Sequence, residues 1–226
     1  MGDQAEQKLL QCYLGWEAAQ AVTTGRSHPE TIGEIKPYFV LFADVRHFSL
    51  LAEQISLHEL RHFLGDFFQL FVTAIEGQGG QVNKFVGDGA LALFAVSSTH
   101  GAMAPVAAAL HLQVQFQQLR DTWPAIVAPG SKTGPVAQVG LGVGISHGEI
   151  FLGTIGRRSR LDYTAIGSTV NVAQRLASSC GQGGVYCTDS VRRQLDHSTV
   201  QVREAGTFRP RGMDTLLRFF QLQTLG

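Results

Sequence analysis

The sequence predicts an α+β fold, a mainly antiparallel central sheet flanked by helices. A hairpin is indicated at Gln81 to Phe94, where Gly87-Asp88-Gly89 separates two mostly apolar runs. Both strands of this hairpin are expected to be largely buried. A strand buried on both faces is indicated at Tyr38 to Ala43, a short apolar run directly after Pro37. Between these two segments, apolar residues recur at spacings of three and four, as in an amphipathic helix.

This first helix has clear start and stop signals. Ser56 is a plausible N-cap with Glu59 three residues later, and Gly77, Gly79 and Gly80 end the helix. Its predicted core stripe consists of Leu57, Leu60, Phe63, Leu64, Phe67, Phe68, Phe71 and Ile75. His58 and His62 have the spacing of paired metal ligands, but a solvated helix face explains them better.

The remaining elements follow the hairpin. A second helix is predicted at Gly101 to Arg120, and Pro124 to Pro135 is a Pro/Gly loop. A central strand is expected at Gln138 to Ser146, with His147-Gly148-Glu149 turning into a second strand at Ile150 to Ile155. The later elements are a charged hairpin tip (Gly156 to Tyr163), strands at Val185 to Thr188, Val200 to Phe208 and Leu216 to Leu222, and a helix at Ser190 to Leu195.

Composition narrows the function class. The 226 residues are 44% hydrophobic and 16% charged, enough for one large domain with a proper core. The formal net charge is zero, so no long-range field attracts a nucleic acid polymer or an anionic membrane. Three scattered cysteines do not form a disulfide framework or a zinc site, which favours a reducing, cytoplasmic compartment. No apolar run has the length of a membrane span.

The first 35 residues form a separate segment with weak helical periodicity. Leu9, Leu10, Tyr13 and Leu14 begin this pattern, and a polar loop follows it. A helix that packs at the edge of the domain and a linker to an upstream regulatory domain both fit this pattern. We therefore expect an N-terminal helical appendage at residues 1–35 and one catalytic domain at residues 36–226.

Two carboxylates in the predicted elements are candidate metal ligands. Asp44 ends the predicted buried strand, and Asp88 lies at the tip of the hairpin. Hard divalent cations prefer oxygen ligands that are held rigidly. Two such carboxylates on adjacent strand ends can bind a pair of Mg²⁺ or Mn²⁺ ions ~4 Å apart, as in phosphoryl and nucleotidyl transfer.

A third group lies at Thr164 to Arg175. Gly167 and Ser168 can cap a helix whose exposed amides favour a phosphate. Asn171 and Arg175 are four residues apart and therefore share one helix face. A neutral amide beside a permanent cation suits the charge that develops on a phosphoryl group in its transition state.

The segments FADVRHFSLLAE, NKFVGDGALALF and TAIGSTVNVAQR occur in this order. Together they resemble the catalytic core of the class III nucleotidyl cyclases, over roughly residues 36–222. The resemblance implies a ferredoxin-like, palm-type βαββαβ core, with C-terminal strands and a hairpin arm for dimerisation. It also implies that Asp44, Asp88 and the backbone of Val45 hold two Mg²⁺ or Mn²⁺ ions. Asn171 would orient the ribose, and Arg175 would stabilise the transition state at the α-phosphate.

The same resemblance assigns the nucleotide contacts. Lys84 would hydrogen-bond adenine N1, and Thr164 would occupy the second base-reading position. The backbone of Ile166 and the side chain of Phe48 would complete the base site. Arg211 takes the place of a lysine near the triphosphate, although a plain basic loop explains it equally well.

Lysine with threonine at the base-reading positions is similar to the bacterial, bicarbonate-responsive adenylate cyclases. It favours ATP over GTP and makes bicarbonate a candidate activator. Asp162 leaves an alternative open, since a shifted strand register could bring it to the base instead of Thr164. In this family one chain supplies the two aspartates and its partner supplies Lys84, Thr164, Asn171 and Arg175. The chain contains both sets, so we expect a homodimer with two equivalent sites.

Three other functions fit parts of this sequence. A guanylate cyclase would use GTP, and Lys84 argues against it. A diguanylate cyclase shares paired acids but lacks the block from Asn171 to Arg175. A catalytically silent regulatory module would normally have lost an aspartate or Arg175, and both aspartates and Arg175 are present.

Overall fold

A computed structural model describes residues 33–96, 101–123, 138–157, 160–210 and 216–225. The predicted N-terminal periodicity before residue 33, the Pro124 to Pro135 loop and Arg211 lie outside these residues.

The strands are β1 (Gly33–Arg46), β2 (Gln81–Val86), β3 (Gly89–Ala95), β4 (Gly140–Arg157), β5 (Arg160–Ile166), β6 (Gly184–Thr188), β7 (Val200–Phe208) and β8 (Leu217–Thr224). The helices are α1 (Phe48–Gln54), α2 (Leu57–Glu76), α3 (Met103–Thr122), α4 (Ser168–Ser178) and α5 (Asp189–Arg192). In the described part of the chain, no helix combines the length and the apolar character that a membrane crossing needs.

The described strands form one eight-stranded sheet. Its order is β2-β3-β1-β4-β6-β8-β7, and β5 pairs with β4 beside this path. Among the described strand pairs, β4 and β6 run parallel and the others run antiparallel. The prediction of an α+β fold with a mainly antiparallel sheet and flanking helices is confirmed.

One face of the sheet holds the larger core. Alternate residues of β1, including Phe39, Leu41 and Ala43, face it and are fully buried. The aromatic stripe of α2 packs here through Phe63 and Phe67, both fully buried. Because successive side chains of a strand point to opposite faces, the remaining residues of β1 point to the second face.

Helix α4 covers the second face. Val40 and Phe42 of β1 lie in this smaller core together with Ala173 of α4. Glycines in β4 allow the helix to approach closely. A Cβ at Gly142 would lie 2.1 Å from the carbonyl oxygen of Ala177, and one at Gly144 would lie 2.1 Å from that of Ala173. Only glycine fits at these two positions, because backbone atoms cannot move aside as a flexible side chain can.

Three local expectations are wrong. The expected turn at His147-Gly148-Glu149 does not occur, because β4 continues through these residues and its residues 140–153 pair with the whole of β1. The first strand of the hairpin, β2, is not buried, because it is the edge strand of the sheet and Phe85 is 46% exposed. Leu57 does not belong to the core stripe, because it is the first residue of α2 and is 82% exposed.

The predicted start of α2 is confirmed in detail. The Ser56 hydroxyl accepts a hydrogen bond from the backbone N–H of Glu59 at 3.3 Å, and the Glu59 carboxylate accepts one from the backbone N–H of Ser56 at 2.8 Å. This reciprocal pair is the predicted capping box. The last helix is shorter than predicted, because α5 covers only Asp189–Arg192.

Candidate active site

The end of β1 and the turn between β2 and β3 bring Asp44 and Asp88 side by side. Asp44 is in register with Gly89, the residue that follows Asp88. The backbone N–H of Val45 donates to the carbonyl oxygen of Asp88 at 3.4 Å. Gly87 supplies the left-handed conformation of the turn, with φ of 62°. The hairpin therefore presents the carboxylate of Asp88 next to the strand end that carries Asp44.

The surroundings of Asp88 disfavour its negative charge. Burial raises the pKa of Asp88 above its ordinary value of 3.8. A hydrogen bond from its own backbone lowers it, the nearby Asp44 carboxylate raises it, and the Arg46 guanidinium lowers it. A site in which burial and a second carboxylate both penalise a negative charge gains energy when a cation binds.

Arg46 is a residue of this site that the sequence analysis missed. Its Nη1 donates to Oδ2 of Asp44 at 2.6 Å, and its Nε donates to the carbonyl oxygen of Gly181 at 3.3 Å. The signal was present in the sequence, because residues two apart on a strand lie on the same face. His47 follows directly in the left-handed region, with φ of 60°, and turns the chain into α1.

The oxygen donors fit a divalent cation of the magnesium type. Among the described residues, no group of three or more His, Cys, Asp or Glu side chains could hold a metal ion. Two carboxylates are nevertheless sufficient for Mg²⁺, which is usually held by one or two carboxylates together with substrate phosphates. Asp44 and Asp88 supply this donor set, and the backbone of Val45, next to Asp44, is hydrogen-bonded to the carbonyl oxygen of Asp88.

Helix α4 presents its polar face to solvent. Gly167 is the N-cap residue and makes no side-chain capping bond, so Ser168 is the first helical residue rather than the cap. Asn171 and Arg175 are both exposed, one helical turn apart. Within the described part of the chain, neither side chain has a hydrogen-bond partner. This face is therefore free to contact a ligand or another chain.

The predicted base-reading residues lie where β2 meets β5. The ammonium of Lys84 is 2.7 Å from Oδ2 of Asp162, and their side chains are 26% and 64% exposed. Next to this pair, the backbone N–H of Ala165 donates to Oδ1 of Asn83 at 3.3 Å. Asn83 lies at a register shift of β2, which turns its side chain toward β5. Thr164 is buried beside these contacts.

The other predicted contacts are distributed around these groups. Phe48 begins α1 and is partly buried against the larger core. Ile166 ends β5 with its side chain 47% exposed. Asp44 and Asp88 thus form one group, Lys84 and Thr164 a second, and Asn171 and Arg175 a third. No described hydrogen bond or ion pair links the three groups.

Two alternative centres are not supported. His58 and His62 contact each other through their Nε2 atoms at 3.1 Å on the exposed face of α2. The described residues offer them no third metal ligand. Cys180 and Cys187 are free and buried, and burial raises the pKa of each thiol to about 12. Burial thus disfavours the thiolate, which is the form that acts as a nucleophile or a metal ligand.

Comparison with known proteins identifies the family. A family model described as the adenylate and guanylate cyclase catalytic domain matches residues 31–223. The chain belongs to this family. Its cyclase domain is 34% identical to an adenylate cyclase of Anabaena cylindrica over 159 residues, which are 69% of this chain and 30% of that protein. The chain therefore spans less than a third of this curated relative.

Solved structures agree with this assignment. The adenylyl cyclase CyaB of P. aeruginosa is similar with a TM-score of 0.76 at 27% identity, over 86% of this chain and 97% of that chain. A guanylyl cyclase structure is similar with a TM-score of 0.73 at 25% identity, over 86% of this chain and 95% of that chain. Cyclases named for either nucleotide are thus similar to this cyclase domain.

Proposed function

We propose that this cyclase domain is an adenylate cyclase that converts ATP to 3′,5′-cyclic AMP and pyrophosphate. In this reaction the ribose 3′-hydroxyl attacks the α-phosphorus in line, and pyrophosphate leaves. The observation that carries the proposal is the adjacent pair Asp44 and Asp88 at the end of β1 and in the β2–β3 turn. A domain that had lost catalysis would not need two partly buried carboxylates at an energetic cost.

We assign the metal-binding role to Asp44, Asp88 and the backbone of Val45. When bound, Mg²⁺ or Mn²⁺ would lower the pKa of the ribose 3′-hydroxyl and neutralise the triphosphate. Asn171 would orient the ribose, and Arg175 would donate to the α-phosphate as negative charge develops on it. Both side chains are exposed on α4, where a ligand can contact them.

The sites are proposed to be shared between two copies of the chain. Several apolar side chains lie exposed next to the groups assigned to the nucleotide: Phe85, Val86, Ile155 and Ile166 are each 44–47% exposed. Exposed apolar side chains in one region indicate a surface that another chain covers. A homodimer in which each copy supplies both halves needs no other partner.

Lys84 supports ATP as the substrate. An ammonium group can only donate hydrogen bonds, and adenine N1 is an acceptor, whereas guanine carries a proton on N1. The contact with Asp162 fixes the ammonium before any base is bound. We keep Thr164 as the second base-reading residue, with the Ile166 backbone and Phe48 beside it. Asp162 then acts as the partner of Lys84.

The wider assignments are proposals as well. We infer a catalytic domain over residues 36–226, to which the first three residues of β1 (Gly33 to Ile35) also belong, and an N-terminal appendage before them that joins an upstream regulatory domain. The pairing of lysine with threonine supports membership of the bicarbonate-responsive type, with bicarbonate as activator. Two free, buried cysteines are consistent with a reducing, cytoplasmic compartment.

The first test is cyclic nucleotide formation with Mn²⁺, comparing ATP with GTP over a range of protein concentrations. We expect cyclic AMP, a specific activity that rises with protein concentration, and no product from Asp44→Ala. Cyclic GMP as the main product would contradict the role of Lys84. No product from a folded dimer that binds ATP would instead indicate a silent regulatory module or a missing activator.

Mixing two inactive variants tests the shared site directly. Asp44→Ala and Arg175→Ala each inactivate both sites of their own homodimer. In a mixed dimer, one site receives the intact Asp44 of one copy and the intact Arg175 of the other. Random exchange is expected to restore about a quarter of the wild-type activity, since about half the dimers are mixed and each has one intact site. No recovery, despite proven exchange of subunits, would show that each site is built from a single chain.

A further inference from the structure

The contact between Arg46 and Asp44 has no place in the proposed catalytic cycle. The Arg46 guanidinium lies 2.6 Å from Oδ2 of Asp44, and the two side chains are 25% and 20% exposed. Its Nε also donates to the carbonyl oxygen of Gly181, in the loop that follows α4. The guanidinium is held at both ends, unlike a long side chain that swings freely on the surface.

Arg46 places its positive charge beside the carboxylates that are assigned to the divalent cation. Asp44 and Arg46 lie on the same face of β1, and their neighbour Asp88 is close enough for both to influence its pKa. Two neighbouring carboxylates repel each other in the absence of a counter-charge. Of the described basic side chains, Arg46 is the one in an ion pair with Asp44.

We propose that Arg46 is the resident counter-cation of the metal-free site and competes with the divalent ion for Asp44. This inference rests on the proposed function, because it assumes that Asp44 is a metal ligand. A carboxylate oxygen that accepts a short bond from a guanidinium has less capacity for a metal ion, and the positive guanidinium also repels that ion. Metal binding therefore displaces Arg46 from Asp44.

The opposite role would be a supporting one, in which Arg46 orients Asp44 toward the metal. Groups that hold a metal ligand in place raise the affinity of the site, and their loss weakens it by about 10–100-fold. The two roles thus predict changes in metal affinity of opposite sign when Arg46 is replaced.

The experiment is titration of the chain with Mn²⁺ without nucleotide, followed by calorimetry or by the electron paramagnetic resonance signal of free Mn²⁺. We expect Arg46→Gln to bind Mn²⁺ about tenfold more tightly than wild type, since a hydrogen bond to a charged group is lost from the competing state. Arg46→Lys keeps the positive charge and is expected to stay within about threefold of wild type. Arg193→Gln is the matched control, because it removes one arginine charge from the ion pair with the equally part-buried Asp189, beyond the far end of β6.

Stability gives a second readout. In EDTA, Arg46→Gln is expected to melt at a lower temperature than wild type, because both carboxylates lose their counter-charge. Addition of Mn²⁺ should reduce this difference in melting temperature, and by more than it does for Arg193→Gln. Equal or weaker Mn²⁺ binding by Arg46→Gln would overturn the inference. Should that variant not fold, Mn²⁺ binding by Arg46→Lys that is more than about threefold weaker than that of wild type would do the same.

Failure of the proposed metal site would look different. In that case Asp44→Ala would give the same Mn²⁺ isotherm as wild type, which overturns the site and the inference together. An isotherm that depends on Asp44 but not on Arg46 overturns the inference alone.

Discussion

Replacing Asp88 by asparagine should make the metal-free protein more stable while it abolishes catalysis. Burial raises the pKa of Asp88, so the folded state carries the ionised carboxylate at a cost. Asparagine has nearly the same shape and no charge, and it removes this cost. The same change removes a carboxylate that the proposed metal site requires.

The sign and size of this change in stability follow from the link between the pKa of Asp88 and the free energy of unfolding. A carboxyl group with a raised pKa stabilises the fold below its ordinary value of 3.8, and this contribution is lost as the pH rises through the raised pKa. At neutral pH the wild type has lost it, whereas Asp88→Asn does not titrate. Asp88 is only partly buried, so after allowance for solvent screening we expect a gain of no more than about 1 kcal/mol. For a domain of this size, that raises the melting temperature by about 2–4 °C.

The assay is thermal unfolding of both proteins in EDTA and in Mn²⁺, at pH values from about 4 to 8. In EDTA the advantage of Asp88→Asn should grow with pH, and in Mn²⁺ the wild type should gain stability while the variant gains little. Asp44→Asn is the control, because it also removes a carboxylate but breaks the ion pair with Arg46. A variant Asp88→Asn that is less stable than wild type at pH 8 in EDTA would refute the reasoning.

Two further predictions concern the scaffold and the base site. Gly144→Ala should lower the free energy of unfolding by about 3 kcal/mol, because the new Cβ would lie 2.1 Å from the carbonyl oxygen of Ala173. Gly65→Ala on α2 is the control: its Cβ meets nothing within 4 Å, and the variant should be more stable by about 0.5–1 kcal/mol. Urea titrations measure both changes. Asp162→Asn should raise the KM for ATP several-fold at nearly constant kcat, since Lys84 loses an exposed partner; an unchanged KM would contradict this positioning role.

The sequence predicted those parts of the fold that depend on local pattern. The buried strand at Tyr38 to Ala43, the hairpin turn and the capping box at Ser56 all depend on residues close together in the chain. The expected turn at His147 to Glu149 failed for a tertiary reason. Glycine and polar residues favour a turn, but 14 residues of β1 pair with β4 through this region and keep it extended.

The site was predictable to the extent that its residues form motifs. Asp44 and Asp88 were placed on adjacent strand ends from sequence, and the structure brings them together. The two ion pairs at the site differ in how far the sequence could predict them. The pair of Arg46 with Asp44 needed only strand alternation, but the contact of Lys84 with Asp162 joins residues 78 positions apart across two strands that do not pair.

Gly142 links the strand end that carries Asp44 to the helix that carries Asn171 and Arg175. It is in register with Asp44 across β1 and β4, and a Cβ on it would meet the carbonyl oxygen of Ala177 on α4. The strand end that positions Asp44 is therefore in direct backbone contact with α4. If each chain contributes its aspartates to one site and its α4 to the other, the two sites of the dimer are joined through this glycine. A side chain at position 142 would shift α4 and Asp44 together and would therefore disturb both sites.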